Sequence, residues 1–285
     1  MKYAITGSTG KFGRKAIEIL LKEVDATDIV ALARNEEKAK KLLPAEIEIR
    51  PGSYEDEAVL AKSLNDIDRL LFISSQPGGA IPRLQQHTNV INAAKSAGVK
   101  YVAYTSFADA DNATAALAAD HKATEKLIEA SGLDYSFLRN NWYVENEMDV
   151  ISAGAAGKPF VYAAGNGRAG WALERLYAEA AAKVITSDSP KNVYEFGGQM
   201  VTYADLAQAV KDATGKDFEV DSISTEQYIK NLQEAGMDQP TSEIIASMQT
   251  LIEDGNLDVP STDLPDVLGY ELPSLADSVK EALSK

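Results

Sequence analysis

The chain has 285 residues, 45% of them hydrophobic and 25% charged, with no cysteine and only two histidines, His87 and His121. Such a chain can bury a sizeable core and is too apolar for long disorder, while disulfides, thiolate nucleophiles, cysteine-held clusters and histidine-rich metal sites are excluded. The net charge of −15 opposes binding to nucleic acid or anionic membranes.

The charge is uneven. Residues 1 to 150 hold 18 Lys plus Arg against 22 Asp plus Glu, and the remainder holds 10 against 21, so the first half is the better host for a polyanion. With no charged leader and no apolar run of ~20 residues to span a bilayer, a cytoplasmic protein without a membrane partner is expected.

Taken in chain order, short apolar runs alternate with helical patterns over the first 140 residues. Strands are expected at 2–6, 29–33, 47–50, 70–74, 101–106 and 135–139. The spacers have helical periodicity, as in 11–24 with Phe12, Ala16, Ile19 and Leu20 on one face, and 81–97 with Leu84, Ile91 and Ala94 aligned. This alternation predicts an α/β fold, a Rossmann-like doubly wound parallel sheet over residues 1–150, to which later strands can add. After residue 150 the rhythm changes to a Gly/Ala-rich stretch, a strand at 193–196 and further helices with Thr202, Thr225, Thr241 and Ser274 at expected N-caps. Residues 151–285 are therefore expected to form a smaller, mainly helical lobe that binds substrate.

The sharpest motif is KYAITGSTGKFG at 2–13, with Gly7, Gly10 and Gly13 between a strand and an amphipathic helix. One glycine permits a tight turn, one lets the backbone approach a pyrophosphate, and one lets the helix pack on the sheet; the helix N-terminus supplies N–H groups and a positive dipole. A phosphate-binding P-loop is excluded because Lys11 is followed by Phe12 where that loop needs Ser or Thr. A dinucleotide site follows. At the end of the second strand, where an NAD enzyme places a carboxylate for the ribose 2′-hydroxyl, stands Arg34, with Lys38 one turn later. A guanidinium matches a 2′-phosphate, so NADP(H) is expected over NAD(H).

Read together, AITGSTGKFG, VALARNEEKA, LLFISSQ, QHTNVINAAKSAGVKYVAYTS, HKATEKLIEASGLDYSFLRNNWYVEN and the later AAGNG resemble the NmrA-like, atypical branch of the short-chain dehydrogenase/reductases. Within it the chain is similar to the NAD(P)H:quinone oxidoreductase type 2 and triphenylmethane reductase group. The resemblance implies that Gly7, Ser8, Thr9, Gly10, Lys11 and Phe12 hold the pyrophosphate and Arg34 the 2′-phosphate. It implies that Ser74, Ser75 and Gln76 flank a ribose, and that Asn140, Asn141, Trp142 and Tyr143 stand near the nicotinamide. Two departures from the family pattern stand out: Ser53 replaces an acid after the third-strand glycine, and Leu173, Glu174, Arg175 and Leu176 replace a Thr-Arg-x-Asp-type helix start.

Most short-chain dehydrogenases protonate their product with Tyr-x-x-x-Lys, but none of the twelve tyrosines here has lysine four residues on. Tyr135 comes nearest, with Arg139, but in a strand that spacing does not bring side chains together. His121 and Glu125 occupy the spacing on the following helix, either as structural partners or as a proton-moving dyad, and His87 is read as a core residue. No catalytic side chain is firmly assigned, Tyr143 being the one candidate. Hydride addition to a quinone gives a delocalised anion that water can protonate, so such an acceptor needs mainly proximity and orientation. The expected activity is an NADPH-dependent oxidoreductase acting on a quinone or similar conjugated acceptor, with Trp142, Tyr143 and Trp171 available to stack on it. A non-catalytic, redox-sensing NADP(H) binder is the alternative; a nucleotide-sugar epimerase is disfavoured because its chemistry needs the tyrosine.

Overall fold

The computed structural model describes all 285 residues. In chain order it runs β1 (Tyr3–Ile5), α1 (Lys11–Glu23), β2 (Ile29–Ala33), α2 (Glu36–Leu42), β3 (Glu48–Pro51), α3 (Glu57–Ser63), β4 (Arg69–Phe72) and α4 (Arg83–Ala97). There follow β5 (Tyr101–Phe107), α5 (Ala116–Ser131), β6 (Asp134–Asn140), α6 (Met148–Ala155), β7 (Phe160–Tyr162), β8 (Arg168–Ala169), α7 (Glu174–Thr186) and β9 (Val193–Phe196). The chain ends with β10 (Val201–Thr202), α8 (Tyr203–Thr214), β11 (Val220–Ser222), α9 (Thr225–Glu234), α10 (Gln239–Glu253), α11 (Asp263–Leu268) and α12 (Leu275–Leu283).

Two compact units result. The first comprises Met1–Asn140, Glu174–Phe196 and Asp266–Gly269; the second comprises Asn141–Leu173, Gly197–Pro265 and Tyr270–Lys285. The first thus ends at Asn140 rather than at 150, and it recovers a later piece of chain. Strand pairing is the reason: β9 joins β6 in parallel register from Val193 on Phe137 to Phe196 on Asn140, and α7 packs along α1.

The first unit carries one seven-stranded sheet in the order β3-β2-β1-β4-β5-β6-β9, every pairing parallel. This is the doubly wound, Rossmann-like sheet. Its strands are apolar on both sides because helices cover both: on one face Ala4, Val30 and Val102 share a core with Leu60, Leu64 and Val90. The strand order reverses between β1 and β4, and that switch point opens the crevice in which such sheets take ligands.

Two element ends in the first unit differ from the sequence expectation by two residues. Strand β4 stops at Phe72, two residues before Ser74, because hydroxyls replace ladder partners: Thr6 Oγ1 accepts from Ile73 N at 2.9 Å and Thr105 Oγ1 from Ser74 N at 2.8 Å. Helix α4 starts at Arg83 rather than 81 because Pro82 disfavours helical backbone at Ile81 and stands as the N-cap itself.

The turn between β1 and α1 depends on two glycines. Gly7 has φ of +58°, which a side chain resists. Gly13 lies under the turn, where a Cβ would come within 2.4 Å of the Gly7 carbonyl oxygen and 2.8 Å of Ser8 Cα. The helix can approach its strand this closely only without a side chain. Ser8 secures the far side, its hydroxyl donating to the Leu32 carbonyl of β2 at 2.8 Å.

In the second unit β7 pairs with β11 in parallel and β8 with β10 antiparallel, and the rest is mainly helical. Thr202 caps α8 in a reciprocal box with Asp205, and Ser274 caps α12. Helices α9 and α10 begin earlier than expected. Ser224, not Thr225, caps the first; Asp238, not Thr241, caps the second, its carboxylate accepting from Thr241 N at 2.9 Å. In both, the residue expected as the cap is already helical and the preceding polar side chain meets the free N–H.

Because the colliding atoms at Gly13 are backbone, relaxation is costly. Gly13→Ala is expected to lower unfolding stability by about 2 kcal/mol in chemical denaturation, whereas an alanine tolerated at full stability would contradict the packing described.

Candidate functional site

A cavity of about 840 Å³ opens in the first unit beyond the C-terminal ends of β1 to β4. Its floor is the glycine turn: Gly7, Ser8, Thr9, Gly10, Lys11 and Phe12 all line it. Arg34 enters from the end of β2, with Asn35 and Lys38 beside it; Ser53, Tyr54 and Glu55 enter from the end of β3. Ser74, Ser75 and Gln76 form the wall after β4, continued by Pro77 to Gly79, with Gln86 from α4 and Glu174 from the start of α7.

The expected residues from Gly7 through Gln76 thus share one cavity. Asn140, Asn141, Trp142 and Tyr143 are not among its walls. Asn140 closes β6, buried between Phe107 and Phe196 on the flanking strands. In the second unit, the Asn141 amide donates to Leu257 O and accepts from Gly170 N, both at 2.9 Å. Tyr143 is half-buried and pairs by backbone with Ala172.

The tryptophans turn inward. Trp142 Nε1 donates to Glu147 Oε1 at 2.9 Å and Trp171 Nε1 to the same oxygen at 3.4 Å, joined by the Tyr203 hydroxyl at 2.8 Å. Burial raises the Glu147 pKa against the pull of these three donors. Both indoles are therefore anchors of the second unit, exposed by 8% and 4%.

The charges on the cavity wall are Lys11, Arg34 and Lys38 against Glu55 and Glu174. Helix α1 has Gly10 as its N-cap, with no side-chain cap and no acid in its first turn, leaving its leading N–H groups and positive dipole end for an anion. The uncapped helix end, the glycine turn and the cationic rim fit a pyrophosphate with a further phosphate near Arg34. Sequence reasoning missed Tyr54, Glu55 and Gln86. Their positions follow from Gly52 N donating to Ala33 O at 2.9 Å, which carries the end of β3 alongside β2, and from α4 folding back over the wall.

Neither histidine is placed to move a proton. His87 Nε2 accepts from Ser75 N at 3.0 Å, so this nitrogen is unprotonated. Its Nδ1 lies 2.8 Å from Thr124 Oγ1, whose own proton goes to Asp120 O, so Nδ1 carries the hydrogen. The same logic fixes His121: Arg83 Nη2 donates to Nε2 at 3.0 Å, and Nδ1–H meets the Tyr104 hydroxyl at 2.9 Å. Burial, with the Arg83 charge second, pushes the His87 pKa down to about 3 and holds His121 well below its usual value. Glu125 does not face His121 in a dyad. It binds Arg139 through Nε at 3.0 Å and Nη2 at 2.6 Å and accepts from the Ser106 hydroxyl at 2.5 Å.

A parallel sheet with a glycine-turn cavity at its switch point defines a Rossmann-type dinucleotide binder. The chain belongs to the NAD(P)H-binding family, whose model matches residues 7–167. It is 38% identical over 278 residues to Quinone oxidoreductase 2 of Escherichia coli K12, covering 97% of this chain and 96% of that one. Among solved structures it resembles the E. coli NADPH-dependent quinone oxidoreductase complexed with NADPH, with a TM-score of 0.92, 38% identity and 99% of both chains covered. Triphenylmethane reductase of Citrobacter sp. superposes with a TM-score of 0.93 at 35% identity over 100% of both chains. No helix is long and apolar enough to cross a membrane.

Since the folded protein resists protonating histidines that titrate near 6.5 when unfolded, their stabilising effect is complete above about pH 6.5 and is lost as pH falls, for His87 through about 3. In NMR spectra both imidazole Cε1 protons should hold constant shifts between pH 5 and 8. A midpoint near 6.5 at either residue would contradict the buried, neutral assignment.

Proposed function

We propose that this chain is an NADPH-dependent reductase that delivers hydride to a quinone or a similar flat, conjugated acceptor. It is an oxidoreductase by family, and the similarity to quinone oxidoreductase 2 over 97% of the chain carries the reading. When bound, NADPH supplies the hydride at its nicotinamide C4. The residues from Gly7 to Phe12 hold the pyrophosphate against the start of α1, and Arg34 with Lys38 grips the 2′-phosphate. Ser74, Ser75 and Gln76 set a ribose, and Asn140, at the end of β6, stands on the nicotinamide side.

No side chain is assigned as the acid. With both histidines neutral and no Tyr-x-x-x-Lys, the protein's contribution is binding and orientation, which suits an acceptor whose reduced form is a stabilised anion protonated by water. Purified protein with NADPH and a panel of quinones and triarylmethane dyes should consume cofactor well above a Gly10→Asp control. Saturable binding without turnover would instead return the redox-sensing reading.

The cofactor preference is tested separately. Arg34→Asp removes a charged hydrogen-bond donor and adds a like charge, so KM for NADPH should rise by about two orders of magnitude while KM for NADH changes little. Equal losses for both cofactors would remove Arg34 as the reader of the 2′-phosphate.

A further inference from the structure

The cavity wall after β4 has no regular secondary structure from Ile73 to Gln76, yet its central residue is held on both sides of its backbone. Ser75 N donates to His87 Nε2 at 3.0 Å, and Ser75 O accepts from Arg83 Nε at 2.6 Å. Both holding groups come from the first turns of α4, and each is fixed in turn from α5 or β5: His87 by Thr124, Arg83 by His121 and the Tyr104 hydroxyl behind it. The Ser75 hydroxyl lies 3.1 Å from the same unprotonated His87 nitrogen, to which it can only donate. Its lone pairs are thereby left for the cavity that Ser75 lines.

Arg83 is an expensive residue to keep here. It is a cation at the N-terminal end of a helix, where the dipole disfavours it. No carboxylate pairs with its guanidinium in the structure, and Nη1 is buried without a hydrogen-bond partner. Desolvation accordingly lowers its pKa. A group retained against helix stability and solvation, with its two directed bonds going to the cavity wall and to the histidine behind it, is placed for the cavity rather than for the fold.

Resting on the reading of this cavity as the NADPH site, we propose that Arg83 and His87 are positioning residues that clamp Ser75 by its N–H and carbonyl, presenting the Ser75 hydroxyl as a hydrogen-bond acceptor to a ribose hydroxyl of the cofactor. The clamp is set before the cofactor arrives, which spares binding the cost of ordering the wall.

Amide exchange in the wild-type protein, followed by NMR with and without NADPH, reads the clamp directly. The Ser75 amide is expected to be protected in the ligand-free protein and to gain little on adding NADPH; exchange that stays fast until NADPH is present overturns the proposal. Arg83→Gln, checked as folded by circular dichroism, should raise Kd for NADPH by about tenfold or more while kcat at saturating cofactor stays within about twofold, with Arg83→Lys recovering part of the loss. A folded Arg83→Gln that binds NADPH as wild type also overturns it. If the wild-type protein binds no NADPH, the functional reading fails, and the Ser75 exchange rate in the ligand-free protein still decides whether the clamp exists.

Discussion

The close approach of α1 to the β1 turn, set by the missing side chain at Gly13, is the constraint on which the rest of the site depends. A Cβ there would lie 2.4 Å from the Gly7 carbonyl oxygen, so any larger residue lifts the helix from the sheet. With the helix seated, its uncapped N-terminus points into the cavity, and Ser8 can reach the Leu32 carbonyl on β2. The positions of β2, Arg34 and the turn are therefore coupled. The glycine turn, the start of α1 and the end of β2 form one connected assembly rather than separate pieces.

Around that assembly the polar groups are directed inward to hold the wall rather than outward to do chemistry. Thr6, Thr105 and His87 each accept a main-chain N–H just beyond β4, at Ile73, Ser74 and Ser75 in turn. Three consecutive amides are thus satisfied by side chains where a ladder would otherwise continue. This frees the chain to bend over the cavity without stranding buried donors. It also accounts for the chemical character of the site: both histidines are committed as neutral, oriented supports, and Glu125 is committed to Arg139.

Much of this was legible in the sequence because it rests on local pattern. Three glycines between a strand and an amphipathic helix, and a basic residue at the end of the second strand, fix their own surroundings within about ten residues. What escaped depends on contacts distant in sequence. Nothing near Trp142 announces that its indole meets Glu147 beside Tyr203, 56 residues further on from that carboxylate. Nothing near Arg83 announces His121, 38 residues away. The return of α7 and β9 to the first sheet, and Glu174 to the cavity wall, likewise follow from sheet pairing that single-strand periodicity does not specify. The altered run from Leu173 to Leu176 was visible, but its placement of Glu174 on the cavity wall was not.

The central claim is that this one cavity takes NADPH and distinguishes it from NADH through the cation at the end of β2. Calorimetric titration of the wild-type protein with each cofactor tests it most directly. A single saturable site per chain for NADPH, with NADH bound about tenfold more weakly or worse, is the predicted result. Equal affinities, or no saturable heat with either, would contradict it.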